Sequence, residues 1–278
     1  MNDELTPIEH SIDTELIGAK ESFRFRAFRK FILAAIGGIP WVGSFIVAAA
    51  ELKEDSGQEE TDNLQRQWLA EHELKLGNVI GTLNQIAAQL ENFGDQVDER
   101  LASPEFLELV EQGFRIWDKS ATKEKRESIR RLLTNAAATR LCSDDLVRLF
   151  LKWIDDYHES HFKVIRAIYN GDRTGRGDIW REIHGEFPRE DSAEADLYKL
   201  LIHDLSMGHV IRQKRKTTSG GQFYQKKPAK RRTGGKTMKS AFDNADPYEL
   251  TALGRQFVHY TMDDVAPQIG DGQPNSPR

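Results

Sequence analysis

Twenty consecutive residues without a charge, Phe31 to Ala50 (FILAAIGGIPWVGSFIVAAA), constrain this chain more than any other feature. An apolar run of that length either crosses a membrane or must be hidden by the rest of the protein. Gly37, Gly38, Pro40, Gly43 and Ser44 argue against an ordinary span, because they weaken both the helix and its partitioning into lipid. Nine strongly apolar side chains contribute roughly −4 kcal/mol of insertion before those costs, so insertion is marginal. A basic flank precedes the segment and the acidic ELKEDSGQEETD follows it. Positive-inside logic would then place the C-terminal part of the chain outside. Ala48-Ala49-Ala50 imitates a signal-peptide cleavage site, yet the thirty residues ahead of the apolar run, with several acids, make a poor n-region.

Just before this segment, Glu21 to Lys30 interleaves phenylalanine with arginine and lysine. At 100° per residue Phe25, Phe28, Phe31, Ile32 and Ala35 share one face, with Arg26, Arg29 and Lys30 opposite and only Arg24 intruding. Such a helix suits an anionic bilayer surface. The candidate membrane-active residues are therefore Phe25, Phe28, Phe31, Ile32, Ile36, Trp41, Phe45 and Ile46.

Further along, Leu69, Leu76, Val79, Leu83, Ile86, Leu90, Phe93 and Val97 form a seam with spacings of three and four from Leu76 onward. It reads as the buried stripe of an intramolecular bundle, with a homo-oligomer through the 69–97 helix as the alternative. Ser103-Pro104 opens the next helix, with serine as N-cap and proline in the first turn, and Phe106, Val110, Phe114 and Trp117 trace its face. A helix follows from about Lys123 to Arg140. Ser143 opens another, whose stripe of Leu146, Phe150, Trp153, Tyr157, His161, Val164 and Ile168 runs unbroken to Asn170-Gly171. The fold class is mainly α, with a helical bundle over 21–158 after a flexible N-terminus, 1–20.

The net charge of −5 conceals an asymmetry: 212–239 carries eleven Lys and Arg and no acid, leaving 28 basic against 44 acidic residues elsewhere. Arg212, Lys214, Arg215, Lys216, Lys226, Lys227, Lys230, Arg231, Arg232, Lys236 and Lys239 are the candidate polyanion-binding residues. Around them the pattern changes to two short helices, about Arg176 to His184 and Ser192 to Leu205, then a strand-like His209-Val210-Ile211-Arg212. Helix, helix, helix, strand, basic hairpin is a winged-helix order. Tyr248-Glu249-Leu250-Thr251-Ala252-Leu253-Gly254 resembles the segment in which the returning wing strand of PadR and MarR regulators enters a closing helix. That resemblance implies a winged-helix domain over 159–264 with a long basic wing, 212–245, and a disordered tail, 265–278. The N-terminal pattern resembles the membrane-active helices of bacterial cell-death effectors, the HeLo-like and Bell-type bundles, and transfers no individual residue.

Candidate catalytic constellations fail one at a time. Gly234-Gly235-Lys236-Thr237 imitates the end of a phosphate loop, but Lys230 stands where its first glycine is required. His158-Glu159-Ser160-His161 lacks the spacing of four that puts two histidines on one helical face, and His161 belongs to the apolar stripe. Asp144/Asp145, Asp155/Asp156 and Asp263/Asp264 are sequence neighbours that point apart on a helix. Cys142 is the only cysteine, so neither a disulfide within the chain nor a cysteine-rich zinc site can form. No enzyme, cofactor or metal is expected. For a DNA reader the third helix of the winged-helix pattern is poorly charged, with Glu194, Asp196 and Asp204 against Lys199 and His203.

Two functions follow as expectations. One is a cytoplasmic, conditionally membrane-acting effector, peripheral at the inner membrane when active, controlled by a winged-helix sensor. The other is a winged-helix DNA-binding transcriptional regulator with a helical dimerisation or sensing domain. The expected partners are an anionic membrane surface or nucleic acid at the basic wing, and a protein at the winged helix.

Overall fold

The computed structural model describes residues 23–54, 62–91, 93, 95–139, 141–171, 175–214, 218–220, 222, 240–244 and 246–262. Among them are eleven helices and one two-stranded antiparallel sheet near the C-terminus. They divide into two compact units, whose described residues run up to Asp155 in the first and from Asp156 to Met262 in the second.

In the first unit the uncharged segment is two helices rather than one. α1 (Phe23–Gly37) and α2 (Val42–Glu54) meet at 93°. The chain breaks here because Pro40 cannot donate and disfavours helical geometry at Ile39. Gly38 also abuts the Glu111 carbonyl so closely that a Cβ would collide with it. α1 packs on α4 (Asp95–Ala102) and α5 (Pro104–Lys119). Its Ala27, Phe31, Ile32 and Ala35 are 2% exposed or less, and Phe31 stacks on Phe106 at 6.3 Å. α2 packs instead on α3 (Asp62–Leu90), whose far half meets α6 (Lys123–Ala138). The inner seam of α3 contains Val79, Leu83, Ile86 and Leu90, as the periodicity predicts, with His72 added.

Polar ties fix the bundle's register. Buried Arg130 of α6 donates to Glu127 one turn earlier and to Gln89 of α3. Arg100 of α4 grips Asp144, at the start of α7 (Asp144–Asp156), with both terminal nitrogens. Ser103 occupies the N-cap of α5 and Pro104 follows in the first turn, but its hydroxyl donates back to the Arg100 carbonyl at 2.9 Å instead of capping.

Two expectations are corrected. The 69–97 seam is not one helix: α3 ends at Leu90, and Val97 lies on α4. The stripe from Leu146 to Ile168 belongs to two helices, α7 and α8 (Glu159–Asn170), not one. His158 is extended between them, and its N–H donates to His161 Nδ1 at 3.1 Å, so the histidine pair starts a new helix. The apolar phase continues across the break, which is why the sequence conceals it.

The second unit runs α8, α9 (Arg176–His184), α10 (Ala193–Met207), β1 (Ile211–Gln213), β2 (Tyr248–Leu250) and α11 (Ala252–Thr261). β1 and β2 pair antiparallel with Ile211 opposite Leu250, and Arg212 reaches across to Glu249 at 2.8 Å. Ser192 caps α10 through Ala195 N–H, and His209, at φ 58°, turns the chain from that helix into β1. The YELTALG stretch closes the unit. Thr251 Oγ1 accepts from Gly254 N–H and donates to the His209 carbonyl, while Gly254 lies against the Val210 carbonyl where no Cβ fits. Phe257 and Val258 then complete the core, with Phe257 stacked on Phe162 at 6.3 Å.

Candidate functional site

The candidate membrane-active residues fall into two settings. Phe31 and Ile32 lie in the core of the first unit and Phe28 and Ile36 at its edge; the Phe25 side chain lies outside the described residues. Trp41, Phe45 and Ile46 are half-buried in the other arm, and Val47 beside them is 58% exposed.

That second arm is held by an aromatic clasp that the sequence reading missed. The ring of His72, one turn after Trp68 on α3, stacks on Trp68 at 4.1 Å and meets Trp41 edge-on at 4.8 Å. Phe45 closes the group, 6.2 Å from both Trp41 and Trp68 and 6.5 Å from His72. Trp41 Nε1 donates to Asp118 at 2.8 Å, and His72 Nδ1 bonds to the Trp68 carbonyl at 2.7 Å. Each aromatic pair of this kind contributes about 0.5–1.5 kcal/mol beyond its area. The clasp joins residues more than twenty positions apart, so no local pattern announces it. Phe28, Phe31, Ile32 and Ile36 are not brought into it.

In the second unit most of the basic run lies outside the described residues: Arg215, Lys216, Lys226, Lys227, Lys230, Arg231, Arg232, Lys236 and Lys239. Its two roots are described. Lys214 N–H donates to the Pro247 carbonyl at 2.7 Å. At the other root Ser240 Oγ and Ala241 N–H both donate to Glu190, which holds that carboxyl below the usual carboxylate range. Phe242 inserts among Trp180, Phe187 and Tyr198 at 5.1–5.8 Å. Asn244 caps α9 by accepting from Gly177 and Asp178 N–H at 2.7 and 3.1 Å. Gln213 and Ser240, which flank most of the basic run in sequence, line the same small cleft. Arg212 is committed to Glu249, while Lys214 is exposed beside a cleft of about 310 Å³ that Arg255 and Tyr169 also line.

α10 turns Ala195, Tyr198, Leu201, Ile202 and Leu205 inward. Its outward face carries Leu197, Leu200 and Met207, all exposed, with Glu194 and Asp196 at the N-terminal end. This face offers phosphate little attraction.

His161 is buried, stacked on Tyr157 at 4.9 Å. Its Nδ1 accepts from His158 N–H, so the proton of the neutral ring sits on Nε2, 3.6 Å from an Asp204 carboxylate oxygen. Burial holds the imidazole below its ordinary range, and Asp204 offsets part of that. Burial likewise pushes the Tyr157 hydroxyl up to about 12. Among the described residues no three His, Cys, Asp or Glu side chains are grouped so as to hold a metal ion. No helix among them is long and apolar enough to cross a membrane alone; the α1–α2 pair has the length and composition only if the two arms are taken together. No protein-family model, curated protein or solved structure matches this chain.

Proposed function

We propose that this protein is a non-enzymatic, conditionally membrane-acting effector whose α2 arm is the part released. The aromatic clasp carries this reading. α1 is rooted in the core, so exposing it would open the first unit. The second arm is held by the Trp41, Phe45, Trp68 and His72 rings, by the Trp41–Asp118 hydrogen bond and by buried Val42, so releasing it breaks these contacts and swings α2 out about the break at Gly38–Trp41 while α1 stays in place. Released, Trp41, Phe45, Ile46 and Val47 would enter the interface of an anionic bilayer, with tryptophan at headgroup level. The second unit, with its order of three helices, two strands and a closing helix, supports a winged-helix reading. The acidic, leucine-bearing outer face of α10 favours a protein ligand there over DNA bases. The protein would rest in the cytoplasm and act peripherally at the inner membrane.

A second reading, a DNA-binding regulator, draws on the anchoring of both roots of the basic run and on the ten cations it carries besides Arg212. Expression in bacteria separates the two. Under the effector reading wild type slows growth and permeabilises cells under the triggering condition, Ile46→Glu abolishes this while the protein still folds, and Ile36→Glu acts chiefly through stability. Membrane damage that survives Ile46→Glu overturns it.

A further inference from the structure

α3 carries a second seam, on the side turned away from the core. Gln67, Ala70, Leu74, Gly77, Gly81, Asn84 and Ala88 recur at three and four residues, and all seven are exposed. Leu74, 74% exposed, is the most exposed large apolar side chain among the described residues. One and two turns beyond it, Gly77 and Gly81 floor a groove of about 550 Å³ walled by Trp117 of α5 and by Lys123 and Arg126 of α6. Apart from its own stretch of helix, neither glycine has a heavy atom within 4 Å of where its Cβ would stand.

We propose that a second copy of this chain fills that groove, its α3 running antiparallel to the first. Glycines alone select no partner; the exposed leucine and the charges do. With the two-fold axis between residues 77 and 78, Leu74 of each copy drops onto the partner's Gly81, and Ala70 lies opposite the partner's Gln85. The contact is isologous, so each copy supplies one knob and one hole. Bare glycine backbones let the helix axes approach to about 8 Å, the close end of the usual range. Direction follows from charge. A parallel pair would set Leu74 against Leu74, leave both glycine floors empty and place Glu71 and Glu73 beside their own copies. The antiparallel pair brings Glu71 and Glu73 to the rim that carries the partner's Lys123 and Arg126. Lys75 pairs with Glu71 at 2.8 Å, so Glu73 is the acid of this end left for the partner; in the groove Glu127 is held by Arg130 and Arg131 of its own helix. This dimer is independent of the membrane reading and stands or falls without it.

Sedimentation of the full chain over a concentration series should show a reversible monomer–dimer equilibrium. Leu74→Asp and Gly81→Phe should each weaken it roughly a hundredfold, about tenfold for each of the two symmetry-related contacts. Under mild oxidation Asn78→Cys, beside the axis, should form a disulfide dimer, and a mixture of Ala70→Cys and Gln85→Cys proteins should cross-link to each other in preference to themselves. Cys142 is buried and should not interfere. A chain that stays monomeric throughout, or a dimer indifferent to both substitutions, overturns the proposal. Preferential self-cross-linking of Leu74→Cys overturns the antiparallel arrangement. The cysteine variants alter only exposed positions, so their cross-linking decides the question even if Gly81→Phe does not fold.

Discussion

Replacing Phe31 and Phe45 separately by alanine measures how differently the two arms of the apolar segment are held. Phe31 has no solvent exposure, stacks on Phe28 at 5.6 Å and on Phe106 at 6.3 Å, and is surrounded by α4 and α5. Phe→Ala at such a site costs about 3–5 kcal/mol, since the cavity cannot collapse against three packed helices. Against a domain stability of roughly 5–15 kcal/mol, that removes between about a fifth of the first unit's stability and all of it. Phe45 is half-buried and its ring contacts are those of the clasp, so its loss costs less, about 2–3 kcal/mol. Urea denaturation followed by tryptophan fluorescence resolves this, because Trp41, Trp68, Trp117 and Trp153 lie in the first unit and only Trp180 in the second. Phe45→Ala should also shift native emission through Trp41 and Trp68 while the unit stays folded. A cost below about 1 kcal/mol for Phe31→Ala, or a larger one for Phe45→Ala, would refute the division into a rooted arm and a releasable one.

Other expectations follow from single contacts. Glu127→Ala removes a carboxylate that accepts two hydrogen bonds from buried Arg130, so the first unit should lose about 1–3 kcal/mol in the same denaturation assay. Burial lowers the pKa of His161 in the folded protein, so the unfolded chain binds its proton more readily. The second unit's stability should therefore be complete above about pH 6.5 and decline as pH falls below it, and His161→Gln should flatten that slope in Trp180-monitored melts. Changing Lys226, Lys227, Lys230, Arg231 and Arg232 together to Gln should abolish retention on heparin, which in wild type should fall steeply with salt; unchanged retention would mean these cations neutralise the protein's own acids.

What the sequence displays is periodicity, and where periodicity governs packing the reading holds. The inner face of α3 and the Phe106–Trp117 face of α5 were legible because apolar spacing marks each. The Tyr157–His158 break was not, since Trp153, Tyr157 and His161 keep helical phase across it. His72 escaped because an imidazole does not count as apolar, although it sits at a seam position and is the hub of the clasp. The outer seam of α3 was invisible for a related reason: glycine, alanine and asparagine produce no hydrophobic signal. At Ser240–Asn244 a single phenylalanine and a side-chain cap do the anchoring, and five residues are too few to show a period.

The clasp is the central claim, and leakage of dye from anionic phospholipid vesicles tests it most directly. Trp68→Ala removes the ring stacked on His72 without touching α1 or α2, so it should release α2 with no other signal and make the full chain leak vesicles that wild type leaves intact. Adding Ile46→Glu to that variant should abolish the leakage while circular dichroism stays unchanged. A Trp68→Ala protein that is folded and inert towards vesicles, or a double variant that leaks as readily as Trp68→Ala alone, would contradict the account.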